Sequence, residues 1–179
     1  MTSNKDFIFT DPYSFYFVTF SAIKWINIFN LEKPRLIFLE SLRFLQKNQN
    51  LGVYAYVIMP SHVHMIVANK NFDNEKLHKS LTALRKFTGA KIIKFIETEA
   101  TQYLKPLSGH RLGDRKHIFW QEGWHSEAIY NDKFYFQKMD YIHNNPVKAQ
   151  LVDSPEDWPY SSAGTILSNK PGFVEIDYF

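Results

Sequence analysis

The stretch Tyr54-Ala-Tyr-Val-Ile-Met-Pro-Ser-His-Val-His-Met-Ile-Val67 leaves a chain few ways to fold. Two apolar runs, 53–59 and 62–68, flank Pro60-Ser61 and read as adjacent antiparallel strands joined by a tight turn. Side chains alternate between the faces of a strand, so His62 and His64 project to one side while Val63 and Met65 project to the other. Two neutral imidazoles converging on one point form half of a divalent-cation site. Taken alone, the pair fits a solvated sheet face equally well.

Around this hairpin the order of elements is legible. Tyr13-Ser-Phe-Tyr-Phe-Val-Thr-Phe20 follows Asp11-Pro12 and is aromatic and β-branched, as a first strand is. Apolar residues at 38, 42 and 45, with Pro34 near the first turn, predict a helix ending in 46–52. Leu77, Leu81, Leu84, Ile92 and Phe95 mark one stripe of a long helix over 73–99, with Lys76, Lys79, Lys86 and Lys94 mostly off it. Residues 105–117 are polar, basic and glycine-containing, the composition of a mobile loop.

Ile118–Tyr130 reads as a fourth strand, bent or bulged at Gly123. Asn131 or Asp132 offers an N-cap to a short helix that Pro146 is expected to end near Asn144. On this helix Tyr135, Met139 and Ile142 form an apolar stripe for the sheet, while Gln137, Tyr141 and Asn145 recur along another side. The expected fold is α+β, a ferredoxin-like sandwich with an antiparallel four- to five-stranded sheet and helices packed mainly on one face. One domain over 1–179 is expected, with 147–179 a C-terminal tail packing on it.

Composition excludes several chemistries. The 179 residues include no cysteine, so disulfides, thiol nucleophiles and thiolate metal sites are out, and any metal must take nitrogen and oxygen ligands. No apolar run is long enough to span a bilayer, and Met-Thr-Ser-Asn-Lys-Asp at the start lacks the apolar segment of a secretory signal. A cytoplasmic protein without a membrane partner is the expectation. The net charge of +3 is unevenly spread, with eleven Lys and Arg against five Asp and Glu in residues 70–117. Such a basic block suits a polyanion, nucleic acid above all, although a solvated helix face has the same composition. Arg85, Lys86, Lys91, Arg111, Arg115 and Lys116 are the candidate phosphate contacts.

The strand with His62 and His64 and the helix with Tyr141 and Asn145 are the parts of a metal-assisted nucleophilic site. Two imidazoles and the Asn145 amide oxygen would leave open positions on Mg²⁺ or Mn²⁺ for a scissile phosphate, in line with attack by the tyrosine oxygen to give a phosphotyrosine. His125 and Gln137 are candidates for supporting the ligands through hydrogen bonds. His143 points elsewhere on its helix and reads as a surface or structural residue.

Four blocks in order, Met59-Pro-Ser-His-Val-His-Met-Ile-Val67, Trp120-Gln-Glu-Gly-Trp-His125, Tyr141-Ile-His-Asn-Asn-Pro-Val-Lys148 and Asp157-Trp-Pro-Tyr-Ser-Ser162, closely resemble the single-tyrosine HUH transposases, in particular the REP-associated tyrosine transposases. The resemblance covers nearly the whole chain. It implies His62 and His64 as metal ligands, Tyr141 as nucleophile and Asn145 as the third ligand. It also implies a single-stranded DNA endonuclease and strand transferase acting at the foot of hairpins, leaving a 5′-phosphotyrosine and a free 3′-OH, as monomer or homodimer. The alternatives are a catalytically silent hairpin-binding protein and a metal-dependent phosphoesterase. Ser61 stands where the family commonly has Asn, and Gln150 where it often has Gly.

Overall fold

A computed structural model of the chain describes residues 14–107 and 118–178. Strand β1 (Phe15–Ser21) leads through two 3-10 turns into helix α1 (Glu32–Gln49). The hairpin β2 (Leu51–Ile58) and β3 (His62–Asn69) follows, then α2 (Asn74–Glu99) and the single helical turn α3 (Leu104–Leu107). Strand β4 (His125–Ile129), helix α4 (Asp132–Lys148) and helix α5 (Ala163–Ser168) complete it. The four strands form one antiparallel sheet in the order β2-β3-β1-β4, with β1 between β3 and β4. This is the α+β, ferredoxin-like arrangement expected from the sequence.

Two apolar layers sandwich the sheet. On one face Val18, Phe20, Val63, Met65 and Val67 pack with Phe38, Leu39 and Leu42 of α1 and Leu77, Leu81 and Leu84 of α2. Burial of each such side chain contributes about 1.5–3 kcal/mol. On the other face Phe17, Ala55, Val57, Ile66 and Ala68 pack with Tyr135 and Ile142 of α4. The two long helices thus share a face as expected, and α4 covers the opposite one. This is why β2 and β3 read as nearly unbroken apolar runs: a strand covered on one side alternates with polar residues, and one covered on both does not. A bulge between Val53 and Ala55 turns both Tyr54 and Ala55 toward α4.

Two boundaries differ from expectation. Residues 118–124 join the sheet only through an isolated bridge from Trp120 to Ala22, and the chain breaks at Gly123, whose φ of +68° suits glycine. Trp120 is held instead by the core and by its indole N–H, which donates to Thr88 Oγ1 at 3.1 Å. Helix α4 runs on through Pro146 to Lys148. The buried proline ring packs within the fold, and the last turn closes beyond it through Ala149 N–H to Asn145 O and Leu151 N–H to Pro146 O. The loop expected over 105–117 begins with the helical turn of α3, and the rest lies outside the described residues.

The C-terminal segment runs along the outer edge of β2. Ile58 N–H donates to Tyr160 O, Ser162 N–H to Tyr56 O, and Val53 and Asp177 exchange two bonds, so the edge does not stand open. Among the described residues no helix is long and apolar enough to cross a membrane.

Candidate active site

The turn before β3 is pinned from outside. Met59 N–H closes it onto His62 O, while the carbonyls of Pro60 and Ser61 accept from Phe29 and Ala22. The hairpin therefore delivers its first two outward residues to a fixed place, and the rings of His62 and His64 lie 4.7 Å apart on the α4 side of the sheet.

Each imidazole has one nitrogen occupied. His64 Nδ1 lies 2.7 Å from Thr19 Oγ1 on β1, and His62 Nδ1 lies 3.2 Å from Ser61 Oγ. Ser61 thus supports His62 alone of the two rings. The remaining His64 Nε2 is buried and has no hydrogen-bond partner among the described residues. Burial holds both rings in the neutral form, His62 down at about 4 and His64 at about 3, the latter also repelled by His62, His125 and Lys138. A neutral imidazole whose Nδ1–H is engaged presents its Nε2 lone pair, and a buried lone pair without a partner is costly. The donor set fits a divalent cation.

Helix α4 brings Tyr141 to the same place. Its ring, 41% exposed, meets that of His64 edge-on at 5.3 Å. Phe17 forms the floor, stacked on His64 at 5.4 Å and edge-on to Tyr141 at 5.8 Å. The helix positions the phenol because Asn131 caps its start, accepting from Phe134 N–H at 2.8 Å, and because Tyr135 and Ile142 are buried against the sheet. Lys148 Nζ lies 5.6 Å from the centroid of that ring, while Lys138 Nζ sits 4.6 Å over Phe17 and 2.6 Å from Glu127.

Asn145 is half-buried one helical turn beyond Tyr141, and Gln137 is exposed one turn before it. No three His, Cys, Asp or Glu residues among those described cluster as a metal site. His125 faces Phe17 at 6.3 Å, opposite Thr19 in the β1–β4 pairing, with Nε2 3.9 Å from Glu127. His143 is buried, its Nε2 2.8 Å from Ser162 Oγ, a structural placement.

Of the basic candidates, the three on described residues do not gather here. Arg85, Lys86 and Lys91 ride on α2, across the sheet from the layer holding α4. Arg85 is spent within the fold, donating to Gln121 O and lying 5.5 Å over Phe20 and 5.1 Å over Trp124, and burial lowers its pKa to about 10. Lys86 and Lys91 are exposed, whereas Arg111, Arg115 and Lys116 lie outside the described residues. Sequence reasoning passed over Thr19, Lys138 and Phe17. Lys138 was visible as the cation three residues before Tyr141, but the Thr19 contact depends on a register between distant strands.

No protein-family model matches the chain. A protein of Haemophilus influenzae named as a REP-associated tyrosine transposase is 29% identical over 113 residues, 60% of this chain and 56% of that one. The REP-associated tyrosine transposase of Escherichia coli is 26% identical over 118 residues, 66% of this chain and 58% of that one. The matched stretch therefore spans little more than half of each relative. Among solved structures, a REP-associated tyrosine transposase bound to a REP hairpin shares the fold, with a TM-score of 0.63 at 20% identity over 93% of this chain and 88% of that one. In sequence and in fold the chain resembles the REP-associated tyrosine transposases.

Proposed function

We propose that the chain cuts and rejoins single-stranded DNA at hairpin-associated sites, with Tyr141 as the nucleophile. The observation that carries this reading is the approach of the Tyr141 ring to 5.3 Å from His64, whose buried Nε2 has no hydrogen-bond partner among the described residues. The names of the relatives and the hairpin bound to the structural neighbour support DNA as substrate. Tyr141 Oη would attack the scissile phosphorus, the bond to the 3′ oxygen would break, and the products would be a 5′-phosphotyrosine and a free 3′-OH. The phenolic proton is lost to solvent as the new ester forms, the departing 3′ oxygen takes one up to become the 3′-OH, and Lys148, with Nζ 5.6 Å from the ring centroid, stands beside the reacting phenol. Attack by a 3′-OH on the phosphotyrosine reverses the step and rejoins the strand without ATP.

His62, His64 and Asn145 would hold Mg²⁺ or Mn²⁺, which when bound draws charge from the phosphoryl group. Thr19 and Ser61 fix the rings that face it, and Phe17 excludes water from beneath the phenol.

A labelled hairpin oligonucleotide with single-stranded tails, incubated with Mg²⁺ or Mn²⁺, should become covalently attached to the protein. Tyr141→Phe should remove the adduct and leave binding within about twofold. An adduct that survives this substitution would exclude Tyr141 as nucleophile. Binding without any adduct, indifferent to metal and to Tyr141, would identify a silent hairpin-binding protein.

A further inference from the structure

We infer that Trp25 is a stacking platform for the unpaired nucleobase next to the scissile phosphate, an inference that rests on the DNA-cutting reading above. The signal lies in the backbone. Lys24 and Trp25 are consecutive non-glycine residues in the left-handed region, with φ of +49° and +55°. Such a conformation is disfavoured for L-residues with a Cβ and persists only where the surroundings impose it. Here they do. Ile23, Ile26 and Ile28 are buried around the turn, Ile23 N–H donates to Phe119 O at 2.7 Å, and Trp25 and Ile26 N–H donate to Ala22 and Ile23 carbonyls.

Burial of the indole does not account for the strained turn, because the ring is 55% exposed. The turn instead fixes where that ring stands: edge-on to His62, 5.5 Å between centroids. Trp25 meets His62, and Tyr141 meets His64. The imidazole pair thus lies between an exposed nucleophile and an exposed indole. A DNA strand whose phosphate sits at the imidazoles would carry a neighbouring base past the open face of Trp25. Every base has a π-face, so the contact needs no particular sequence, and exposed Lys24 adds a positive charge for the backbone beside it.

Several other exposed rings are placed differently. Phe44 and Phe87 lie on the α1 and α2 layer, and Tyr130 is stacked on Phe134 at 4.8 Å. Trp120, Trp124 and Trp158 pack in or against the cores.

The test uses the full chain carrying Tyr141→Phe, so that binding is read without cleavage, and the hairpin oligonucleotide that the wild type captures covalently. Abasic sites are placed one at a time at the nucleotides flanking the cut. Trp25→Gly suits the left-handed backbone, and Trp25→Phe keeps a ring should the glycine variant unfold. Loss of one stacked base corresponds to a roughly 5- to 150-fold loss of affinity. Trp25→Gly should show this loss on intact DNA, and Trp25→Phe only a small part of it. One abasic position should weaken the Trp25 protein by a similar factor and leave the Trp25→Gly protein unaffected. If the losses from Trp25→Gly and from every abasic site simply multiply, or if Trp25→Gly binds intact DNA as well as the parent, the stacking role is wrong while the cutting reading stands. If the wild type neither binds nor captures any hairpin, both fall together.

Discussion

Thr19 engages one nitrogen of His64. Its hydroxyl lies 2.7 Å from Nδ1, and by accepting from Nδ1–H it would leave the Nε2 lone pair free to coordinate. Thr19→Val keeps the shape and removes the hydrogen bond, so divalent-cation affinity measured by titration calorimetry should fall roughly 10- to 100-fold. Unchanged affinity would mean that Nε2 is oriented by something else. At this scale the sequence was partly legible. His62 and His64 share a face because strand periodicity is local, and Tyr141 and Asn145 share a side because helical periodicity is. Thr19 was hidden because pairing across 45 positions is set by the whole sheet. Gln150 is instructive too. It stands where glycine is usual in the family and takes a φ of +57°, the conformation glycine would favour.

Helix α4 is joined to the C-terminal segment through one polar contact. His143 Nε2 meets Ser162 Oγ at 2.8 Å, and the same hydroxyl accepts from Tyr56 N–H at 2.9 Å, so three elements share it. Burial lowers the His143 pKa from 6.5 to about 4, only partly opposed by Asp140. The unfolded chain therefore binds more protons than the folded one between these values. Stability is full above about pH 6.5 and is lost as the pH falls toward 4. His143 alone should remove roughly 2 kcal/mol between pH 7 and 5, with His62 and His64 adding in the same direction when no metal is present. Urea denaturation without divalent cations should show this slope, and His143→Gln should flatten it. An equal slope in that variant would place the titration elsewhere. The helix itself was readable from its cap and stripe, but its end was not. A proline signals a stop locally, and only the buried surroundings of Pro146 let the last turn continue past it.

Across the whole molecule the sheet divides the labour. The α1 and α2 face is core and solvated cationic surface, and the α4 face carries the imidazoles and the phenol. Order and type of the main elements were legible because the hairpin, the long amphipathic helix and the capped helix α4 each announce themselves within a short window. The assignment of layers was not, since apolar runs on β2 and β3 do not say which helix covers which side. The basic block of 70–117 was visible as composition, yet much of what faces solvent within it rides on α2, away from the paired rings. Composition counts charges without giving them a direction.

Phe17 touches both His64 and Tyr141 within a single chain. That contact predicts a site assembled within each copy rather than shared between two. Chains carrying Tyr141→Phe, mixed with chains carrying His64→Ala, should yield no covalent product beyond the sum of the two alone, and the yield per wild-type chain should not fall on dilution. Recovery of activity in the mixture would show that neighbouring copies trade helices, and that self-sufficiency is not how the folded molecule works.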